Sequence, residues 1–179
     1  HRIARRQRQM CIRDRLNWLN GQVLHALPAQ QLLDELHPLW SEQGWTLPDD
    51  SSWGLDLCEL LGPSLTLLKD GVDQAKPFFE CPDLEDDGKS QLEAEGARDA
   101  VAQLLQTLEA DPWDGGDMDR AKQLLGDAAK GAGVKKGVVM KSLRAALLGR
   151  LQGPDLMTTW SLLARIGEDL PSCLLYTSD

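Results

Sequence analysis

The sequence predicts an all-α fold, arranged as two small helical bundles in series. β-Branched residues are few, whereas Leu, Ala, Gln, Glu and Asp dominate, a composition that favours helix over sheet. Apolar residues recur at three- and four-residue intervals, and no stretch alternates as a half-buried strand would. An acidic stretch with Pro and Gly in mid-chain, Glu80 to Lys89 (ECPDLEDDGK), reads as a hinge between two halves. A chain of 179 residues accommodates one domain or two small ones, and 42% apolar residues with six Trp can fill a core. The longest apolar runs fall far short of a membrane span, so no membrane association is expected.

The elements follow from the chain in order. Leu16 to Leu24 (LNWLNGQVL) has helical apolar spacing, with Trp18 expected on the packed side. Pro28 suits the first turn of a second helix whose stripe is Leu32, Leu33, Leu36, Leu39 and Trp40; Pro38 would kink or shorten it, and Gly44 ends it. Asp49, Asp50, Ser51 and Ser52 offer caps for a helix from Trp53 to Leu61, stopped by Gly62-Pro63. Leu65, Leu67, Leu68 and Val72 begin another, and Pro77-Phe78-Phe79 closes the first half. Beyond the hinge, Ser90 and Glu93 form a capping box for a helix to about Glu109. Asp111 to Asp117 (DPWDGGD) is a turn, and Asp117 caps a helix that reaches Lys130 and ends at Gly131 and Gly133. Val138 to Leu151 is a basic helix with Met140, Leu143, Leu147 and Leu151 inward. Gly153-Pro154-Asp155 turns the chain into a final helix, Leu156 to Ile166. The expected bundles are residues 16–84 and 90–170.

The two ends are set apart by the genetic code. Arg8 to Arg15 can be written CGT CAG ATG TGT ATA AGA GAC AG, whose reverse complement contains TGT CTC TTA TAC ACA TCT GAC. That spells Cys-Leu-Leu-Tyr-Thr-Ser-Asp, which is Cys173 to Asp179. One DNA element in opposite orientations, similar to a sequencing-library adapter, thus accounts for both ends. Residues 1–15 and 173–179 are expected to be appended sequence, and the remainder a fragment of a longer protein. Without them six Arg and two acids are lost, and the net charge moves from −9 to −13. Only Cys58 and Cys81 then remain, which suits a reducing cytoplasm.

No phosphate-binding glycine loop, nucleophile elbow or metalloprotease motif is present, and no nucleophile–base pair assembles. Acids at Asp49-Asp50 and Glu85-Asp86-Asp87 read as solvated caps and linkers, and Cys58 as a packed thiol. Trp40, Trp53 and Trp160, like Trp18, fall on apolar stripes and read as core, whereas Trp45 and Trp113 sit at loops. One stretch stands out. Between Asp127 and Asp155 there is no acid, while Lys130, Lys135, Lys136, Lys141, Arg144 and Arg150 occur. A segment cleared of acids in an acidic chain suits a polyanion. Arg144 lies close to the apolar seam, where a held guanidinium could pair with two acceptors of a base edge or phosphate. Single-stranded RNA loops are readable in this way. A helical module whose basic helix meets an acidic protein partner is the other reading.

Three segments carry a resemblance. KKGVVMKSLRAALLGRLQGPDL (135–156) resembles the C-terminal signature of bacterial-type glutamyl-tRNA synthetases. LNWLNGQVLHAL (16–27) is similar to the family segment that follows the catalytic domain, and ELLGPSLTLLKDGVDQAKPFF (59–79) to its middle helical region. Order and spacing agree over about Leu16 to Leu170. The resemblance implies the anticodon-binding superhelical region of a class I synthetase. It implies tRNA-Glu as partner, or also tRNA-Gln, and the catalytic domain of the same parent chain as a second partner. Arg144 would contact an anticodon base, and Gly153, Pro154 and Leu156 would line the anticodon pocket. Lys135, Lys136, Lys141 and Arg150 complete the expected RNA-binding set. The family departs here at Ser142, often Pro, at Leu148, often Thr, and at Ser64, where some members place a discriminating Arg. The ATP and Mg of the parent enzyme, and its ligase activity, belong to a catalytic domain with signatures that this chain lacks. No cofactor, no metal, no aminoacylation by this chain alone, a monomer and a cytoplasmic location are the corresponding expectations.

Overall fold

The computed structural model describes residues 2–166, with side chains from Ile12 onward; the adapter-like tail 173–179 lies outside the described residues. Among the described residues there are nine α-helices, one 3-10 turn and no strand. None of these helices is long and apolar enough to cross a membrane. The chain divides into two compact units that meet between Ala75 and Lys76, inside a helix and upstream of the expected hinge.

In the first unit, α1 (Arg2–Ala26) rests on the 3-10 turn Gly62–Ser64. Its inward face is mixed: Leu24 is buried, Asn20 donates to Thr66 O, Gly21 is buried near Leu65 O, and His25 bonds Leu65 O at 2.8 Å. Trp18 is therefore not core; it is 66% exposed, about 100° round the helix from half-buried Asn17. α2 (Ala29–Glu42) buries Leu32, Leu36 and Trp40 against α3 (Trp53–Leu61), whose bounds agree with expectation. Pro38 does not break α2. It lies on the exposed side, where the Asp34 carbonyl it leaves unbonded can meet water. The Trp40 indole donates to Gly71 O in α4 (Leu68–Phe79).

The second unit corrects the expected hinge. Asp86–Glu93 is helix α5, with two acids in its first turn where a helix start favours them. Ser90 and Glu93 end α5 instead of opening the next helix. Gly96, at φ +75, starts α6 (Ala97–Ala110) in a left-handed conformation that glycine adopts without strain. Asp117 caps α7 (Met118–Ala132) by accepting from the Asp119 and Arg120 amides. The basic helix α8 (Lys136–Leu148) stops three residues short of the expected Leu151, because Gly149 turns left-handed at φ +73. α9 (Leu156–Ile166) has the expected bounds. α8 is the hub of this unit, packed on α5, α6, α7 and α9. Val139, Ser142, Leu143 and the run Ala145–Leu148 are all buried, more than one stripe of an amphipathic helix. Trp113 and Trp160 pack together with ring centres 4.5 Å apart, so the loop tryptophan is core.

Candidate nucleic-acid interface

The expected residues fall into two groups along α8. Lys135 and Lys136, both exposed, stand at its N-terminal end. That end has no side-chain cap and no acid in its first turn. Two cations at the positive pole of a helix are unfavourable, and an anion placed there would relieve them. Arg144 lies about 12 Å further along the axis from Lys136. Around the axis, Lys141 lies about 60° to one side of Arg144 and Lys136 about 80° to the other. The three side chains make a broad basic face rather than a line.

At the other end the cations are held. Arg144 is half-buried, and its Nη1 donates to Pro154 O at 2.6 Å. This bond ties α8 to the turn Gly153-Pro154, which leads into α9, and sets Arg144 against Pro154. Gly153 is exposed and Pro154 half-buried, whereas Leu156 is 3% exposed and anchors α9 in the core. The turn is further supported by Asp155, whose carboxylate caps α9 through the Thr158 amide and hydroxyl. Lys141 is exposed midway.

Arg150 is placed differently from Lys135, Lys136 and Lys141. Its Nη1 lies 3.7 Å from Glu85 Oε1, and its Nε is buried without a hydrogen-bond partner. It meets a segment to which no pattern in the sequence points. The segment Asp83–Gly88 crosses the turn after α8. Glu85 N–H donates to Gly149 O at 2.8 Å, and Leu151 N–H donates to Asp87 Oδ2 at 3.1 Å. The approach is so close that a Cβ on Gly88 would stand 2.2 Å from Gly149 O, and one on Gly149 would stand 2.0 Å from Asp83 O. The window without acids in sequence is thus not without acids in space. The two glycines were the available signal, but nothing in the sequence pairs them.

Ser142 is buried, donates to Val138 O, and accepts from Gln91 of α5 at 3.3 Å. A serine here gives α5 a polar anchor. Ser64 stands within reach of Leu61 O and the Gln74 amide, closing the 3-10 turn of the first unit. No group of His, Cys, Asp or Glu able to hold a metal occurs among the described residues. Cys58 is buried and its thiol is pushed up to about 12 by burial, so it is not a thiolate nucleophile near neutral pH.

Residues 31–166 match the family model of the anticodon binding domain. Over 158 residues the chain is 87% identical to the glutamate–tRNA ligase of Parasynechococcus marenigrum, covering 88% of this chain and 33% of that protein. It is 68% identical over 157 residues to a glutamate–tRNA ligase of Prochlorococcus marinus, with the same coverage of each. The chain therefore spans about a third of the length of these curated relatives. Its fold is similar to that of a glutamate–tRNA ligase from Elizabethkingia meningosepticum, with a TM-score of 0.75 at 22% identity, over 90% of this chain and 31% of that one.

Proposed function

The chain belongs to the anticodon binding domain family, and from that premise we propose that it is the tRNA-reading part of a glutamate–tRNA ligase. In this reading it positions tRNA-Glu for aminoacylation carried out elsewhere in a longer protein. Arg144 carries the reading. Its half-buried guanidinium is fixed on Pro154 O at the end of a helix whose other cations are exposed, and its remaining N–H groups can meet a base edge or phosphate. Lys135, Lys136 and Lys141 supply attraction to the backbone of the loop, and Gly153 and Pro154 shape the surface beside Arg144, while buried Leu156 supports the turn from the core. Arg150 contributes mainly by holding the turn, since Glu85 faces it.

The net acidic charge supports selectivity. Repulsion over most of the surface opposes indiscriminate RNA binding and leaves attraction at one place. ATP, Mg and the ligase chemistry belong to the catalytic part, and this chain alone does not aminoacylate. It acts as a monomer in the cytoplasm. Ser64, at the position where some family members carry an arginine, leaves the first unit without that guanidinium, and tRNA-Gln is a second candidate ligand.

Fluorescence anisotropy with tRNA-Glu, tRNA-Gln and an unrelated hairpin, over a salt series, tests this reading. The full-length ligase serves as reference. tRNA-Glu should bind more tightly than the hairpin, and Arg144→Ala should weaken it by about 1–3 kcal/mol, the size of a lost base contact. Equal binding of tRNA-Glu and the hairpin, or no effect of Arg144→Ala, overturns it. Binding of an acidic polypeptide in preference to either RNA would favour the protein-partner reading instead.

A further inference from the structure

The strap Asp83–Gly88 touches the turn after α8 at several points, yet it places acids beside a surface that suits a polyanion. Glu85 and Asp87 repel phosphate by simple Coulomb interaction. Their presence there is explained by geometry. Asp87 uses both carboxylate oxygens: Oδ1 accepts from the Gly88 amide at 2.7 Å and Oδ2 from the Leu151 amide at 3.1 Å. Three residues after Leu151, Pro154 O accepts from Arg144. The turn Leu151–Pro154 is thus pinned at one end by Asp87 and at the other by Arg144. Asp86, the preceding residue, is also exposed and has the same charge, but no hydrogen bond or ion pair joins it to the turn among the described residues.

We propose that Asp87 is a positioning residue of the RNA site. It fixes the turn Gly149–Pro154, and through Pro154 the guanidinium of Arg144, in the arrangement that meets the nucleic acid. The inference rests on the proposed tRNA-binding reading and goes beyond it, because it assigns a role in RNA affinity to an acid that electrostatics alone would count against binding. Without Asp87 the Leu151 amide loses its acceptor and the turn regains backbone freedom, which binding must then remove.

The test compares the 179-residue chain with Asp87→Ala, Asp87→Asn and Asp86→Ala. Affinity for a tRNA-Glu transcript is measured over a salt series, and amide hydrogen exchange is followed at Leu151. Asp87→Ala should bind roughly tenfold more weakly, the effect of one lost charge-assisted hydrogen bond, with an unchanged salt slope and faster exchange at Leu151. Asp87→Asn keeps an acceptor oxygen and should recover most of the affinity. Asp86→Ala removes the same charge without touching the turn and should bind equally or more tightly. Asp87→Ala binding as tightly as wild type, Asp87→Asn as weak as Asp87→Ala, or unchanged exchange at Leu151 in Asp87→Ala each overturns the proposal. Failure of the wild-type chain to prefer tRNA-Glu over the hairpin removes the functional reading instead, while Leu151 exchange still decides whether Asp87 holds the turn.

Discussion

At the N-terminal end of α8, Lys135 and Lys136 are exposed on a helix start with no side-chain cap; at its C-terminal end, Arg144 and Arg150 each face a partner. The helix before it shows what an ordinary start looks like in this unit: α7 is capped by Asp117 and carries Asp119 in its first turn. The start of α8 thus forgoes local stabilisation and leaves its charge available, whereas its end has guanidinium groups already in place. A free lysine loses side-chain entropy on contact and is strongly hydrated. Its contribution is attraction over distance, which salt screens. A held arginine has lost that freedom before binding, so it can report the shape and chemistry of what it meets. One helix thereby separates attraction from recognition.

The largest effect should come from loosening the held end. Gly149→Ala forces a Cβ into Asp83 O at a positive φ, and is expected to destabilise the fold by about 3 kcal/mol, combining left-handed strain with overpacking. A urea midpoint measures this, and an unchanged midpoint would show that the strap is not tightly seated. Next in size, Arg144→Lys should lose nearly as much tRNA-Glu affinity as Arg144→Ala, roughly 1–3 kcal/mol, because a point charge lacks the planar fork. Full retention of affinity in the lysine variant would make the two ends equivalent and erase the distinction.

At the free end the signs of stability and binding should oppose each other. Lys135→Asp supplies a cap and an anion to a bare helix start, so thermal unfolding should show a gain of about 1 kcal/mol. The same variant should bind tRNA-Glu and an unrelated hairpin more weakly by similar factors, with a salt slope reduced by about one to two. A loss confined to tRNA-Glu would place recognition at this end too. The smallest change is expected for Lys141→Ala, at about 0.5 kcal/mol in binding and less in stability, as for an exposed surface charge.

Much of the fold was legible because its signals are local. Trp53 to Leu61 and Leu156 to Ile166 were bounded correctly by caps, glycine and proline acting within a few residues. Asp117 was a cap by the same reasoning. Where partners are distant in sequence, the reading failed. ECPDLEDDGK has the composition of a linker, yet its last four residues are helical and it packs on the turn after α8. Trp18 has apolar neighbours at helical spacing, but the inward face of α1 carries buried Leu24 together with Asn20 and His25, which reach the backbone carbonyls of Thr66 and Leu65. Arg144 is half-buried, as its place beside the apolar seam predicts, but its acceptor, Pro154 O, could not be anticipated from periodicity.

An all-α chain with one concentrated basic segment between its adapter-like ends is legible along the sequence, because composition, helical spacing and charge are properties of neighbouring residues. Which of those cations stand exposed and which are held is set by packing in three dimensions. That depends on two glycines, Gly88 and Gly149, sixty-one positions apart, allowing two backbones to approach closely enough for Glu85 and Asp87 to reach the end of α8. Close approach between distant segments leaves no periodic trace, so an acid-free window along the chain could become, in space, a basic helix with an acidic strap across its end.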